Sequence, residues 1–413
     1  MKKHFKQIAA LLLALSLTVT ALAGCVKPSD KKPVVLMVSF GTSYNDNRDL
    51  SVGGMENAVQ AAYPGYEVRR AFTSQIIIDK LKERDNITID NVKEAMDRLV
   101  ADGVKEVIIQ PTHVMSGYEY DDVAEEVRKY IDKFDSFKIG KTLLAADADY
   151  DEVAGIITEA TKDYDVEGTA VVFMGHGTEH TANETYAKLQ AKLTAAGKTN
   201  YFIGTVEAEP SLEDVIGLVK ESGATKVVLL PLMVVAGDHA NNDMAGDEED
   251  SWKSEFTREG FEVECVLKGL GQYEGIQALI VKHLADTIAA PAELYGSQIK
   301  DGTYDIKVES SSSMFRIVDC KLTVEGGKMS AVITLSGTGF EKLYMGTGEQ
   351  AESDEPNHIE IFETNDGQNS FVVPVEALNK ELDCAGLSAR KQTWSDHKIV
   401  FKSDLISKDD ISE

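Results

Sequence analysis

From Val34 onward the chain alternates between two textures. Short runs that are apolar at nearly every position are separated by longer stretches in which apolar residues return every three or four positions. A continuous apolar run suits a strand buried on both faces, and the three-to-four spacing marks one face of a helix. The runs predict strands at VVLMVSF (34–40), YEVRRAF (66–72), EVIIQ (106–110), FKIGKTLL (137–144), AVVFM (170–174), YFIGTVE (201–207), KVVLLP (226–231) and FEVECVL (261–267). Between them VKEAMDRLVADG, YDDVAEEVRKYIDKF and LEDVIGLVKESG read as amphipathic helices. Such alternation predicts an α/β fold with helices on both sheet faces.

The pattern also repeats. VVLMVSFGTS (34–43) aligns with AVVFMGHGTE (170–179), which pairs Phe40 with His176 and Gly41-Thr42 with Gly177-Thr178. EVIIQPTHVMSGYEYDD (106–122) aligns with the segment from Lys226, which pairs Pro111 with Pro231, Gly117 with Gly237 and Glu119 with His239. The chain therefore reads as two similar α/β halves, 33–145 and 146–290, facing each other across a cleft. Ligands of such sheets bind beyond the carboxyl ends of the strands. That is where His113, His176, Glu207 and His239 fall.

After Pro291 the period changes to two. MFRIVDCKLTV, KMSAVITL, HIEIF, SFVVPV and KIVFK are separated by EGGK, SGTG and NDGQN, which predicts a separate all-β, sandwich-like domain over 298–405. At the other end, Lys2, Lys3 and Lys6 precede the apolar IAALLLALSLTVTALAG, the layout of an export signal over 1–24. LAGC (22–25) resembles the lipobox of bacterial lipoproteins, which implies cleavage before Cys25 and a diacylglyceryl thioether on its sulfur. A plain signal peptide with an incidental cysteine is the alternative. Residues 25–32 would then be a tether, and the mature chain an exported lipoprotein held at a membrane face.

A formal net charge of −27 argues against nucleic acid as a partner. Besides Cys25 there are only Cys265, Cys320 and Cys384, with no CxxC pair, so a zinc ribbon is excluded. Cys320 and Cys384 are either a disulfide or two buried thiols. There is no GxxxxGK[ST] phosphate loop, no GxGxxG after a strand and no GxSxG elbow, which leaves histidine and carboxylate chemistry.

His176 lies between two glycines directly after an apolar strand, a place suited to close backbone approach by a flat ligand. His180 shares its i,i+4 spacing, but the glycines favour a turn over a helix. His283 reads as a helix-borne packing or surface residue. Glu207 closes its strand, and His239 follows the strand KVVLLP in VVAGDHANNDM. Two imidazoles and a carboxylate from successive strand ends suit a borderline divalent metal, Co, Zn, Ni or Fe(II), with positions left open for substrate. The acids Asp247–Asp250 read mainly as the first turn of a helix over SWKSEFTREGF.

Taken together, SFGTSYNDNR (39–48), QPTHVMSGYEYDD (110–122), MGHGTEH (174–180), GTVEAEPSLEDV (204–215) and VVAGDHANNDMAGDEEDSWK (234–253) resemble the anaerobic cobaltochelatases, class II tetrapyrrole chelatases related to ferrochelatase. The resemblance spans about 33–290, with no motif residue substituted. It implies two Rossmann-like halves around a tetrapyrrole cleft, and ATP-independent insertion of Co2+ into sirohydrochlorin in cobalamin synthesis. By the same resemblance His176 is proton acceptor and metal ligand, and Glu207 and His239 complete the metal site. An acidic protein needs local donors for the carboxylates of such a substrate. Backbone amides near Gly41, Thr42 and Gly117 are candidates, and His113 either contacts the macrocycle or makes a structural hydrogen bond under its loop. The β domain resembles the all-β modules of Gram-positive haem and iron acquisition proteins, without a YxxxY pattern. Export and this domain support an alternative: a surface lipoprotein that captures metal or a haem-like tetrapyrrole for a transporter. Either reading leaves a homo-oligomer open.

Overall fold

The computed structural model describes residues 31–411. The expected export signal, Cys25 and the first part of the expected tether lie outside the described residues. Among those described, no helix is long and apolar enough to cross a membrane.

The first half is a four-stranded parallel sheet of β1 (Val34–Ser39), β2 (Glu67–Phe72), β3 (Glu106–Pro111) and β4 (Ser136–Ile139), in the order β2-β1-β3-β4. Its helices are α1 (Asn45–Ala62), α2 (Gln75–Asp85), α3 (Val92–Ala101) and α4 (Tyr118–Arg128). The second half repeats the plan with β5 (Thr169–Gly175), β6 (Tyr201–Thr205), β7 (Lys226–Pro231) and β8 (Glu262–Cys265), ordered β6-β5-β7-β8. Its helices are α5 (Asp147–Ala160), α6 (Glu184–Ala195), α7 (Leu212–Ser222), α8 (Trp252–Arg258) and α9 (Glu274–Ala289). Strand for strand, the two sheets share one topology, as the internal repeat predicts.

Burial explains why the strands read as unbroken apolar runs. Val34, Leu36 and Val38 face an outer core with Met96 and Leu99 of α3 and Val123 and Val127 of α4. Val35 and Met37 face inward and share one core with Val171 and Phe173 of the second sheet. Ala170, Val172 and Met174 face their own outer core, with Val215 of α7 and Trp252 and Phe256 of α8. Neither face of either central strand is left for water, so alternation is lost from the sequence.

Local signals set most helix ends. Asn91 and Glu94 form a reciprocal capping box on α3, Ser211 and Asp214 do so on α7, and Gly223 ends α7 in the left-handed region. α9 belongs to the second half by sequence, yet Lys138 of β4 donates to its C-terminal carbonyls of Thr287 and Ile288 at 3.2 and 2.8 Å. The last helix therefore closes the shared core against the first half.

Four expectations are corrected. The strand expected over 137–144 ends at Ile139: Gln110 bonds Pro111 and Lys141 carbonyls there, and a Cβ on Gly140 would lie 2.5 Å from its oxygen. Leu143 and Leu144 still donate to His113 and Val114 at 2.9 Å, alongside but outside the sheet. The helix expected through Phe134 stops at Arg128, and a 3₁₀ turn covers Ile131–Lys133. Glu207 lies two residues past the end of β6. Asp247–Asp250 precede α8 rather than forming its first turn. Ser251 is the N-cap, accepting from Ser254 N–H, and the first-turn acid is Glu255.

The C-terminal region forms two five-stranded antiparallel sheets around a core that includes Phe315, Leu322, Ile333, Phe371, Ile399 and Phe401. One short helix, Gly348–Ser353, interrupts the β pattern. Pairing extends past 298–405 at both ends, through Leu294 with Leu378 and Ile299 with Ile411. The region meets the first half at α4, where Arg128 lies 3.3 Å from the Tyr295 hydroxyl and 3.6 Å from Glu376. Cys320 and Cys384 are both free thiols inside this core, their pKa values pushed up to about 12 chiefly by burial. The unfolding midpoint in urea should therefore be the same with and without reductant. A disulfide closing that loop would instead forfeit about 4 kcal/mol on reduction.

Candidate metal centre

His176 is exposed because two glycines let the chain turn sharply after β5. A Cβ on Gly175 would lie 2.2 Å from the Tyr186 ring, and one on Gly177 would lie 2.7 Å from the Ala208 nitrogen. Gly177 also has φ of +88°, a region only glycine enters cheaply. Its N–H donates to the Tyr186 hydroxyl oxygen at 3.1 Å. The imidazole is thus held up from a rigid base. Its Nδ1 lies 2.8 Å from the Gly177 carbonyl oxygen, so Nδ1 carries the proton and Nε2 the lone pair.

Glu207 is strapped beside it by backbone bonds. Val206 N–H donates to Gly175 O at 3.1 Å, and Glu207 N–H donates to His176 O at 2.9 Å. The Thr205 hydroxyl closes the turn by donating to the Ala208 carbonyl while accepting the Ala208 N–H at 3.2 Å. This leaves Glu207 Oε2 3.7 Å from His176 Nδ1.

His239 arrives on the loop after β7, at the start of a π-helical turn over Ala240–Met244. The Ala245 N–H reaches back five residues to Ala240 O at 3.2 Å, and the Asn241 side chain donates to the Ala236 and Gly237 carbonyls at 3.2 and 2.7 Å. Asp243 Oδ2 accepts from His239 Nδ1 at 2.7 Å. The two imidazoles stand at 89° with centroids 4.6 Å apart.

His176, Glu207 and His239 each offer a ligand atom within 4.8 Å of the others'. Around one cation with bonds of about 2.0–2.2 Å, ligand atoms sit roughly 3–4 Å apart. The three groups are therefore preformed to within about one to two ångströms, and two nitrogens with one oxygen suit a borderline divalent ion.

The first half shapes this loop although it contributes no atom to the set. Asn47 of α1 accepts the Ala236 N–H at 2.7 Å and donates to the Leu267 carbonyl at 3.4 Å, while the Ser51 hydroxyl donates to it at 3.0 Å. Burial together with the Asp238 carboxylate, to which it hydrogen-bonds, raises the Tyr44 pKa. On the other flank, the Tyr118 ring of α4 meets His180 edge-on at 4.8 Å. The sequence reading passed over Asp243, Asn47, Tyr44 and Tyr186. The motif SFGTSYNDNR contained two of them, but nothing local shows which loop they hold.

The remaining expected residues fall as follows. Gly41 adopts φ of +99°, and a Cβ there would lie 2.5 Å from the Phe72 ring. Thr42 is buried, and its hydroxyl oxygen accepts the Tyr44 N–H at 3.2 Å. Gly117 is the N-cap of α4, without a side-chain cap. His180 stays outside the metal set: its Nδ1 accepts the Ala182 N–H at 3.0 Å, and its Nε2 lies 3.5 Å from Asp121. His283 is buried on α9, 3.0 Å from Asp149, so packing is its role. The structural hydrogen bond considered for His113 is not formed. That residue is half-buried as a whole, yet both its ring nitrogens are buried and lack a partner.

An open set of two imidazoles and a carboxylate at the strand ends of one α/β half, braced by an equivalent half, has the donor types and spacing that could hold a divalent cation. Residues 33–289 match the family described as cobalt chelatase (CbiK), and the chain belongs to that family; it is an enzyme of the chelatase class. It is 38% identical over 262 residues to the sirohydrochlorin cobaltochelatase of Salmonella typhimurium, covering 63% of this chain and 98% of that protein. It is 31% identical over 271 residues to the sirohydrochlorin cobaltochelatase CbiKC of Nitratidesulfovibrio vulgaris, covering 64% and 95%. Among solved structures, SirB from Bacillus subtilis with Fe3+ aligns over 63% of this chain and 96% of that one, with 12% identity and a TM-score of 0.44.

Burial pushes the His113 pKa down to about 4. As pH falls below about 6.5, the unfolded ring takes up a proton that the folded ring refuses, so acid favours unfolding. This penalty grows until about pH 4 and amounts to roughly 3 kcal/mol. Denaturation curves across that window should show His113→Leu losing less stability on acidification than the parent, by about that amount.

Proposed function

We propose that the chain inserts Co2+ into sirohydrochlorin or a closely related tetrapyrrole without ATP. The observation that carries this reading is the convergence of His176, Glu207 and His239 within 4.8 Å in a chain that covers nearly the whole of relatives so named. The same donors also suit Fe2+, Ni2+ or Zn2+, so metal preference belongs to the test.

Insertion removes two pyrrole N–H protons and replaces the metal's first ligands with ring nitrogens. His176, Glu207 and His239 hold the incoming cation, and Glu207 offsets part of its charge. When the metal passes to the macrocycle, the His176 Nε2 lone pair is freed beside the pyrrole nitrogens and accepts their protons in turn. With its side chain 48% exposed, His176 hands each proton to water. The substrate's carboxylates meet backbone N–H groups at Gly41 and Thr42 and at the α4 terminus by Gly117. The Thr42 hydroxyl accepts the Tyr44 N–H, which leaves its own proton free to donate. His113 is a candidate contact for the macrocycle, since both its ring nitrogens are without a protein partner.

We further infer that the mature chain is an exported lipoprotein held through Cys25. Lys31 and Lys32 donate to the Asp102 and Pro64 carbonyls just before β1 begins, and the metal set lies at the opposite ends of the strands. The tether thus enters at the end of the fold remote from the cleft.

Co2+ insertion into sirohydrochlorin can be followed by its absorbance change. His176→Ala should lower kcat by about 10²–10⁴-fold, while Glu207→Ala and His239→Ala should mainly raise the Co2+ concentration required. A His176→Ala enzyme as fast as the parent would remove His176 as proton acceptor.

A further inference from the structure

The two imidazoles of the metal set are not held alike. His176 gives its Nδ1 proton to a neutral main-chain carbonyl, that of the adjacent Gly177, at 2.8 Å. His239 gives its Nδ1 proton to a carboxylate, Asp243 Oδ2, at 2.7 Å. The second arrangement is built rather than incidental. Asp243 lies on the π-helical turn that His239 opens, four residues on, and that turn is fixed by the Ala245-to-Ala240 bond and by the Asn241 side chain. The following Gly246 packs so closely that a Cβ would lie 2.2 Å from the Asn242 carbonyl oxygen. Asp243 itself is not among the three groups whose ligand atoms converge.

We infer that Asp243 is a positioning residue that fixes His239 as the anchoring metal ligand, while His176 is the ligand that lets go. The inference rests on the function proposed above and assigns unequal parts to its two histidines. A carboxylate on Nδ1–H sets the tautomer, points the Nε2 lone pair at the cation and strengthens it as a donor. The Gly177 carbonyl sets the tautomer of His176 without adding negative charge, and the nearest carboxylate, Glu207 at 3.7 Å from that nitrogen, is beyond hydrogen-bond reach and belongs to the metal set itself. The metal therefore stays longest on His239 as ring nitrogens replace its other ligands, and His176 is released first, free to take the pyrrole protons. Asp243 exerts its effect through His239 and touches neither metal nor macrocycle.

The test is Co2+ binding to the full-length protein without tetrapyrrole, read from the visible spectrum of bound Co2+. Asp243→Ala should weaken binding about 10- to 100-fold. Asp243→Asn, whose amide oxygen can still accept the Nδ1 proton but carries no charge, should recover only part of that loss. In a His239→Ala background the Asp243→Ala change should have little further effect, because the two act as one unit. Asp247→Ala, a surface acid paired with Lys253, should bind as the parent does. Parent-like affinity in Asp243→Ala, or an equal loss with and without His239, overturns the positioning role alone. If His239→Ala itself binds Co2+ like the parent, the proposed metal site falls and this inference falls with it.

Discussion

Val34–Ser39 and Thr169–Gly175 are buried at every position, so neither central strand has a face on which to display a polar side chain. That double burial is the constraint on which the molecule depends. It sends Val35 and Met37 into the same core as Val171 and Phe173, which joins the two sheets into one body. It also leaves the strand ends as the place where polar side chains emerge. His176 follows one such end directly, Glu207 lies two residues past another, and His239 sits on the loop after a third.

The two halves are alike in topology and unlike in chemistry. Gly41 and Gly177 make the same left-handed turn after equivalent strands, at φ of +99° and +88°. The residue before the turn is Phe40 in one half and His176 in the other, and Glu119 stands where the repeat has His239. The first half has instead become a brace. Asn47 reaches across to the backbone of Ala236, and Tyr44 to Asp238, beside the histidine they help to place. The candidate metal ligands are concentrated in one repeat and their support in the other.

The β region keeps a separate hydrophobic core and meets the chelatase part chiefly at α4, through Arg128, Tyr295 and Glu376. At its N-terminus the same helix presents Tyr118 to His180, four residues on from His176. One element thus touches both the site's flank and the added domain. Cys320 and Cys384 contribute to the second core as small apolar groups rather than as a cross-link.

Much of this was written locally. Apolar runs located all eight parallel strands: the inner ones, β1, β3, β5 and β7, are nearly continuous because both faces are buried, while the edge strands β2, β4 and β8 are only partly buried and carry charged residues. The repeat foretold the matching sheet orders, and Gly175 and Gly177 marked the exposed turn of His176, because backbone sterics act over one or two residues. Capping explained α3 and α7 for the same reason. The errors arose where a partner lay elsewhere: Gln110 cut short the strand after Phe137, and Ser251 displaced the acids as the start of α8. The candidate ligands were legible as residue types at strand ends, but not their convergence. Asn47 and Ala236 are 189 positions apart, and no period in the chain relates them. Composition and periodicity determined the elements, the halves and the class of chemistry. Which histidine carries a carboxylate partner, and which half holds the loop, followed only when tertiary packing brought those hydrogen-bonding groups within reach.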